Sequence, residues 1–383
     1  MHLVPLSRNL LQRDEALVNI PGSIPAYYPE GRQDYRADGT TVWSATFTEE
    51  HCLSRKSFCL ADHTPFADLR IGVVLGSGSF AKVFYGTYDG QQVAVKVMDW
   101  VTSNSAVKTT ITGDPDELAI AARLKHANIV AVYASCTKEV ETVLATNGRE
   151  SSQAMQSWLI MDYCDKGSLI EAIDKGWFQI RTSKNVFIPN MASILLTARE
   201  LASGMAYVHS LGILHGDLKG PNILLTASSE DARGFTSKIS DFGLSRLCSN
   251  NAEIETKTSG TVTHAPPELL SDGHLSQAGD VFAFGVMLWE MWNSQHAWSG
   301  LLPYQVLFAV FKGKRLEMPE NAPSSFADLV KACMAQTPAE RPSFAQILDM
   351  IAALQLAQSW CWYGRFSTTN GRLQGPEFFN ALI

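Results

Sequence analysis

The sequence predicts an α+β chain of two unequal lobes: a small five-stranded antiparallel unit with one main helix, then a larger, mostly helical unit. Three observations point there. Apolar, β-branched runs separated by glycine-bearing turns begin at Leu69. Helical apolar spacing takes over after Gly167. The densest polar motifs fall at the junction of the two, where a cleft would form.

The elements follow in order. Residues 1–68 mix Pro, Gly, Ser, Thr and charges without a sustained period, and are expected to form a largely irregular extension with a short helix near 10–18. Runs 71–75, 83–88 and 92–98 read as three antiparallel strands. Residues 114–125 carry apolar positions at helical spacing behind a Gly-Asp-Pro start, which predicts the main helix of the small lobe. Runs 129–134 and 158–161 supply two more strands, and the polar stretch 139–157 between them reads as a loop insertion. Helices are expected over 191–211, 281–292 and 326–335. The aromatic-rich tail 355–383 would cover an apolar patch.

Composition narrows the function. Of 383 residues, 46% are hydrophobic and 18% charged, enough to bury a full core. A net charge of −7 argues against nucleic-acid binding by phosphate neutralisation. No uncharged apolar run reaches the roughly 18–20 residues of a membrane span. Arg8, Arg13, Asp14 and Glu15 interrupt any secretory core. Seven cysteines without a C-x-x-C spacing indicate neither zinc nor redox chemistry, and suit buried thiols in a reducing, cytoplasmic compartment.

The chemistry concentrates in Leu214-His215-Gly216-Asp217-Leu218-Lys219-Gly220-Pro221-Asn222 and Asp241-Phe242-Gly243. Two carboxylates, a lysine and a carboxamide meet the needs of phosphoryl transfer: an aligned nucleophile, held metal ions and neutralised equatorial oxygens. Leu75-Gly76-Ser77-Gly78-Ser79-Phe80-Ala81-Lys82-Val83 joins the first two strands, either as a plain hairpin turn or as a phosphate cover. Val93-Ala94-Val95-Lys96 puts a lysine in an apolar strand, where it either reaches solvent or has a partner. Glu117 is the favoured partner, with Asp114 and Asp116 nearby.

These segments, in this order, resemble the eukaryotic protein kinases. Gly167-Ser168-Leu169, the Lys219 loop and Arg341-Pro342-Ser343-Phe344 resemble the tyrosine-kinase-like group of serine/threonine kinases, and the expanded loop 226–235 resembles its plant or algal members. The resemblance covers 69–354 and implies a two-lobed kinase fold, with lobes 69–161 and 168–354 about a hinge at 162–167, ATP with Mg²⁺ (or Mn²⁺), and protein substrates. Asp217 would orient or deprotonate the substrate hydroxyl and Lys219 would balance the migrating charge. Asn222 and Asp241 would hold the metal, and a Lys96–Glu117 ion pair would orient phosphates. Leu75, Val83 and Ala94 would flank adenine; Met161 would be the gatekeeper, with Asp162 to Cys164 bonding the adenine edge. His215 would pack on Phe242, Thr261 would bond near Asp217 and Lys219, Glu268 would pair with Arg341, and Asp280 would bond the catalytic-loop backbone. Three positions depart from the pattern. Ala81 replaces a third glycine, Pro266 an alanine, and Gly216 an arginine that receives a phosphorylated activation loop, so activity is expected not to depend strongly on such phosphorylation. A nucleotide-binding scaffold without turnover and a dual-specificity kinase are the alternatives.

Overall fold

The computed structural model describes residues 64–78, 81–102, 120–144, 151–243, 245–247, 254–255 and 261–363, and a short antiparallel strand pair, Gln33–Tyr35 with Thr41–Trp43. Five strands form the first lobe: β1 (Leu69–Ser77), β2 (Ala81–Tyr88), β3 (Gln91–Thr102), β4 (Val132–Leu144) and β5 (Ser151–Asp162). They pair antiparallel in the order β1-β2-β3-β5-β4. Period-two alternation sorts β3. Val93, Val95 and Val97 pack with Phe84, Trp158 and Ile160 on one face. Ala94, Lys96 and Met98 take the other, where Met98 meets Ala121 and Leu159.

Two expectations need correction. The polar stretch 139–157 is no loop insertion: β4 and β5 pair as far as Leu144 with Ser151, and β3 accompanies them to Thr102 opposite Gln153. Ladder hydrogen bonds are made by the backbone, so strand pairing can continue through a polar stretch. The fourth strand starts at Val132 rather than at 129. Ile129 instead bridges Ile239 in parallel, and the Val130 N–H donates to the Ile239 carbonyl. Of the expected helix 114–125, residues 120–123 are helical and 114–119 lie outside the described residues, as does the helix expected near 10–18.

The second lobe contains α1 (Leu169–Asp174), α2 (Met191–Ser210), α3 (Pro267–Asp272), α4 (Gln277–Asn293), α5 (Pro303–Phe311), α6 (Ser324–Cys333) and α7 (Phe344–Tyr363). In α2, Ile194, Leu195, Ala198, Leu201, Ala202, Met205 and Val208 are fully buried, the stripe expected of a core helix. Each such large side chain contributes about 1.5–3 kcal/mol by leaving water. A Cβ on Gly204 would lie 2.8 Å from Ile239 Cδ1, so this glycine lets α2 close on the strand that leads to the site. Short strands at the junction carry the polar motifs: β6 (Ile213–Leu214), β7 (Ile223–Ala227), β8 (Phe235–Ile239) and β9 (Arg246–Leu247). β7 pairs with β8 and β6 with β9. No helix among the described residues is long and apolar enough to cross a membrane.

Candidate active site

Between the lobes lies a cleft open to solvent. Its walls include Leu75 and Val83 from β1 and β2, Ala94 and Lys96 from β3, and Met161, Asp162 and Cys164 where β5 becomes the hinge; Asp241 lies at its inner end. The expected adenine-flanking residues are therefore brought together. The rest of the glycine-rich turn is not part of this wall. Gly76, Ser77, Gly78, Ala81 and Lys82 form the turn, closed by the Gly78 N–H on the Ala81 carbonyl at 2.7 Å, with Lys82 exposed. Ser79, Phe80 and Glu117 lie outside the described residues.

Residues that sequence reasoning missed complete the walls: Val130, Leu159, Ser168, Ile170, Glu171, Leu224 and Ser240 among them. Leu224 carried a signal, because its neighbours Ile223 and Leu225 are the buried face of an alternating strand and Leu224 must point the other way. Glu171 carried none. Burial raises its pKa, and its Oε2 is buried without a hydrogen-bond partner, 3.7 Å from Lys175 Nζ. Burial also pushes the Cys164 thiol up to about 11, so this hinge cysteine is not a thiolate near neutral pH.

The polar centre is built from the loop after β6. The Asp217 carboxylate accepts from Lys219 Nζ at 2.8 Å, Asn222 Nδ2 at 3.2 Å, Thr261 Oγ1 at 3.0 Å and the Thr261 N–H at 3.2 Å. Lys219 also donates to Thr261 Oγ1 at 2.7 Å, which closes a triangle of carboxylate, ammonium and hydroxyl. Asn222 is buried, and its Nδ2 donates further to the Asp217 carbonyl at 2.8 Å. Lys96 Nζ lies 3.0 Å from Asp241 Oδ1. Asp241 is a non-glycine residue at φ +61°, a strained conformation of the kind that persists where surroundings impose it at functional sites.

Supporting bonds hold this loop. The buried Asp280 accepts from the His215 and Gly216 N–H groups, both at 2.9 Å, and from His209 Nε2 at 2.8 Å. Burial alone would raise the Asp280 pKa, but these bonds, led by His209, hold it below the ordinary carboxylate value. His215 is fully buried; its Nε2 donates to the Ser240 carbonyl at 3.0 Å and its ring meets Phe242 at 5.0 Å. Glu268 and Arg341 form the expected pair, bidentate at 2.7 and 2.8 Å. Gly216 sits at φ +79°, where a residue with a Cβ is strained.

The donor set suits a hard divalent cation: one carboxylate and one carboxamide oxygen, on Asp241 and Asn222, beside the cleft. Among the described residues no group of three or more His, Cys, Asp or Glu gathers as a self-sufficient metal cage. Mg²⁺ takes one or two protein groups and completes its shell with water and phosphate.

Comparison with known proteins agrees. The family model for protein tyrosine and serine/threonine kinases matches residues 69–351. The chain is 32% identical over 293 residues to the serine/threonine-protein kinase CTR1 of Arabidopsis thaliana, covering 76% of this chain and 32% of that protein. It is 31% identical over 296 residues to human mitogen-activated protein kinase kinase kinase 11, covering 76% of this chain and 31% of the relative. To the Arabidopsis serine/threonine/tyrosine-protein kinase HT1 it is 28% identical over 355 residues, covering 90% of this chain and 83% of that one. The chain thus spans about a third of the length of the first two relatives.

Proposed function

Because the chain belongs to the protein tyrosine and serine/threonine kinase family, in its tyrosine-kinase-like group, we propose that it transfers the γ-phosphoryl group of Mg²⁺-ATP to serine and threonine hydroxyls of protein substrates in signal transduction. One observation carries this reading: Asp217, Lys219 and Thr261 close a hydrogen-bonded triangle beside Asn222, with Asp241 and Lys96 at the end of an apolar cleft. Asp217 orients the incoming hydroxyl and takes its proton. Lys219, already within bonding distance of that carboxylate, offsets charge on the migrating group. Lys96 meets the phosphates from β3, and the hinge backbone from Asp162 to Cys164 reads the adenine edge. Asn222 and Asp241 hold Mg²⁺, or Mn²⁺ in its place, which when bound neutralises phosphate oxygens. The domain is read as 69–354, with a leading extension and a following tail, working in the cytoplasm without nucleic acid; the net charge of −7 supports the last point.

Mg²⁺-ATP-dependent labelling of a generic protein substrate tests the proposal. Wild type should incorporate phosphate, and Asp217→Asn should lose about 10²–10⁴-fold, the usual worth of a positioned base. Labelling that survives Asp217→Asn overturns the assignment. HT1, alike over 90% of this chain, is named as a serine/threonine/tyrosine kinase, which keeps dual specificity as the second reading. Phosphoamino-acid analysis of the labelled product separates the two.

A further inference from the structure

The hinge carries a charge pair that the mechanism above does not use. Asp162 is the last residue of β5 and lines the cleft. Its Oδ2 accepts from Lys238 Nζ at 2.6 Å and from the Ala131 N–H at 2.9 Å, while its own N–H donates to the Ala131 carbonyl at 3.0 Å. The Tyr133 hydroxyl donates to the second oxygen, Oδ1. Burial on its own would raise the Asp162 pKa; the bonds from Lys238, Tyr133 and Ala131 outweigh it and hold the carboxyl below its ordinary value, so it is charged at neutral pH.

Lys238 stands on β8, directly opposite Leu224 of the cleft wall and three residues before Asp241. Its side chain and that of Asp162 are only 20% and 13% exposed, where an ion pair is screened weakly. β8 is itself fastened on both sides. The Ile239 N–H donates to the Asn128 carbonyl at 2.9 Å, and the Ser240 N–H to the carbonyl of Asn222 at 2.8 Å. The hinge is thus tied by one charge pair to the strand that delivers the metal-binding aspartate. Lys238 does not line the cleft, so any effect on nucleotide must pass through Asp162.

We propose that Asp162 and Lys238 form a clamp that presets the adenine-reading hinge against the metal end of the cleft, making Lys238 a positioning residue for nucleotide binding. The inference rests on the kinase reading. Without the clamp the hinge samples other positions, and apparent affinity falls in proportion to the fraction that remains competent. Ligand groups that touch only the phosphate end do not feel this loss.

The experiment measures, by calorimetry on the full chain, the affinity of Mg²⁺-ATP and of Mg²⁺ with inorganic tripolyphosphate, which has no base to meet the hinge. In Lys238→Met the affinity for ATP should fall about tenfold, as for a competent fraction of about one tenth, with that for tripolyphosphate within about twofold. Asp162→Asn, which keeps an acceptor for Ala131 but loses the charge, should show the same selective loss, and the double variant should be no worse than Lys238→Met. Unchanged ATP affinity in both single variants overturns the clamp. So does equal weakening of ATP and tripolyphosphate, which marks a merely structural pair. A wild type that binds no Mg²⁺-ATP overturns the kinase reading itself, and the clamp with it.

Discussion

Replacing Thr261 by valine keeps the shape of the side chain and removes one hydroxyl. That hydroxyl donates to Asp217 Oδ1 at 3.0 Å and accepts from Lys219 Nζ at 2.7 Å. The Thr261 N–H bond to Asp217, at 3.2 Å, survives the change, as does the Lys219–Asp217 contact at 2.8 Å. Both charged side chains are only 12% exposed, so solvent compensates little. A hydrogen bond to a charged group contributes about 1.5–3 kcal/mol, and here one hydroxyl serves two such groups that share a third contact. A loss of roughly 2–3 kcal/mol of transition-state stabilisation is expected, which is about 30- to 160-fold in turnover at 1.36 kcal/mol per tenfold. Nucleotide affinity should stay within about twofold, because Thr261 does not line the nucleotide cleft. Thr261→Ser, which keeps the hydroxyl, should stay within about threefold of wild type. Steady-state phosphorylation at saturating Mg²⁺-ATP, with affinity measured separately, decides it. Turnover of the valine variant close to wild type, or a serine variant as poor as valine, refutes the triangle as a functional unit.

The remaining predictions concern stability and regulation. Arg341→Met removes a buried guanidinium and leaves the half-buried Glu268 without its bidentate partner; it should cost about 3 kcal/mol, read as a lower urea midpoint at unchanged slope. Asp280 has a folded pKa below its ordinary value, so its stabilisation is present above the ordinary carboxylate pKa and is lost as pH falls from there through the folded pKa. Acid unfolding followed between about pH 5 and pH 2 should therefore be shallower in Asp280→Asn than in wild type. Gly216→Ala should lose about 1–2 kcal/mol of stability, because φ is +79° there. With no arginine at 216, enzyme treated with phosphatase and enzyme left to autophosphorylate should turn over at equal rates; a large drop after phosphatase removes that expectation.

The candidate catalytic centre was legible as a cluster because its residues are close along the chain. Asp217, Lys219 and Asn222 sit within one loop, and the structure finds them bonded to one another. The Glu268–Arg341 and Asp280 contacts are long-range, yet they followed from the register of the whole motif series. The extension of β3, β4 and β5 was not legible. An apolar-run reading detects strands by their apolar residues, and a polar stretch leaves only backbone pairing as its signature. The remaining cleft wall was half legible: Leu224 follows from alternation, whereas Glu171 lies on a helix whose buried residues, Leu169, Ala172 and Ile173, say nothing about the cleft. The Asp162–Lys238 pair joins positions 76 residues apart, and neither residue type announces the other.

The glycine at 216 shows how a departure from pattern is read once geometry is known. Sequence alone presents it as a missing arginine, a loss that leans toward an inactive scaffold. The structure separates two roles that the position combines. The backbone role is intact: the Gly216 N–H donates to Asp280, the neighbouring His215 N–H does the same, and His215 carries on to the Ser240 carbonyl beside Asp241. Those bonds are indifferent to the side chain at 216, and a glycine occupies φ +79° with less strain than an arginine would. What disappears with the side chain is only a cation able to receive a phosphate from the activation segment. Asp217 meanwhile keeps four donors, two of them from Thr261 at the far end of that segment. On the proposed reading, a substitution that spares every bond within this loop and removes only an outward contact would alter control of the reaction and leave the machinery for it in place.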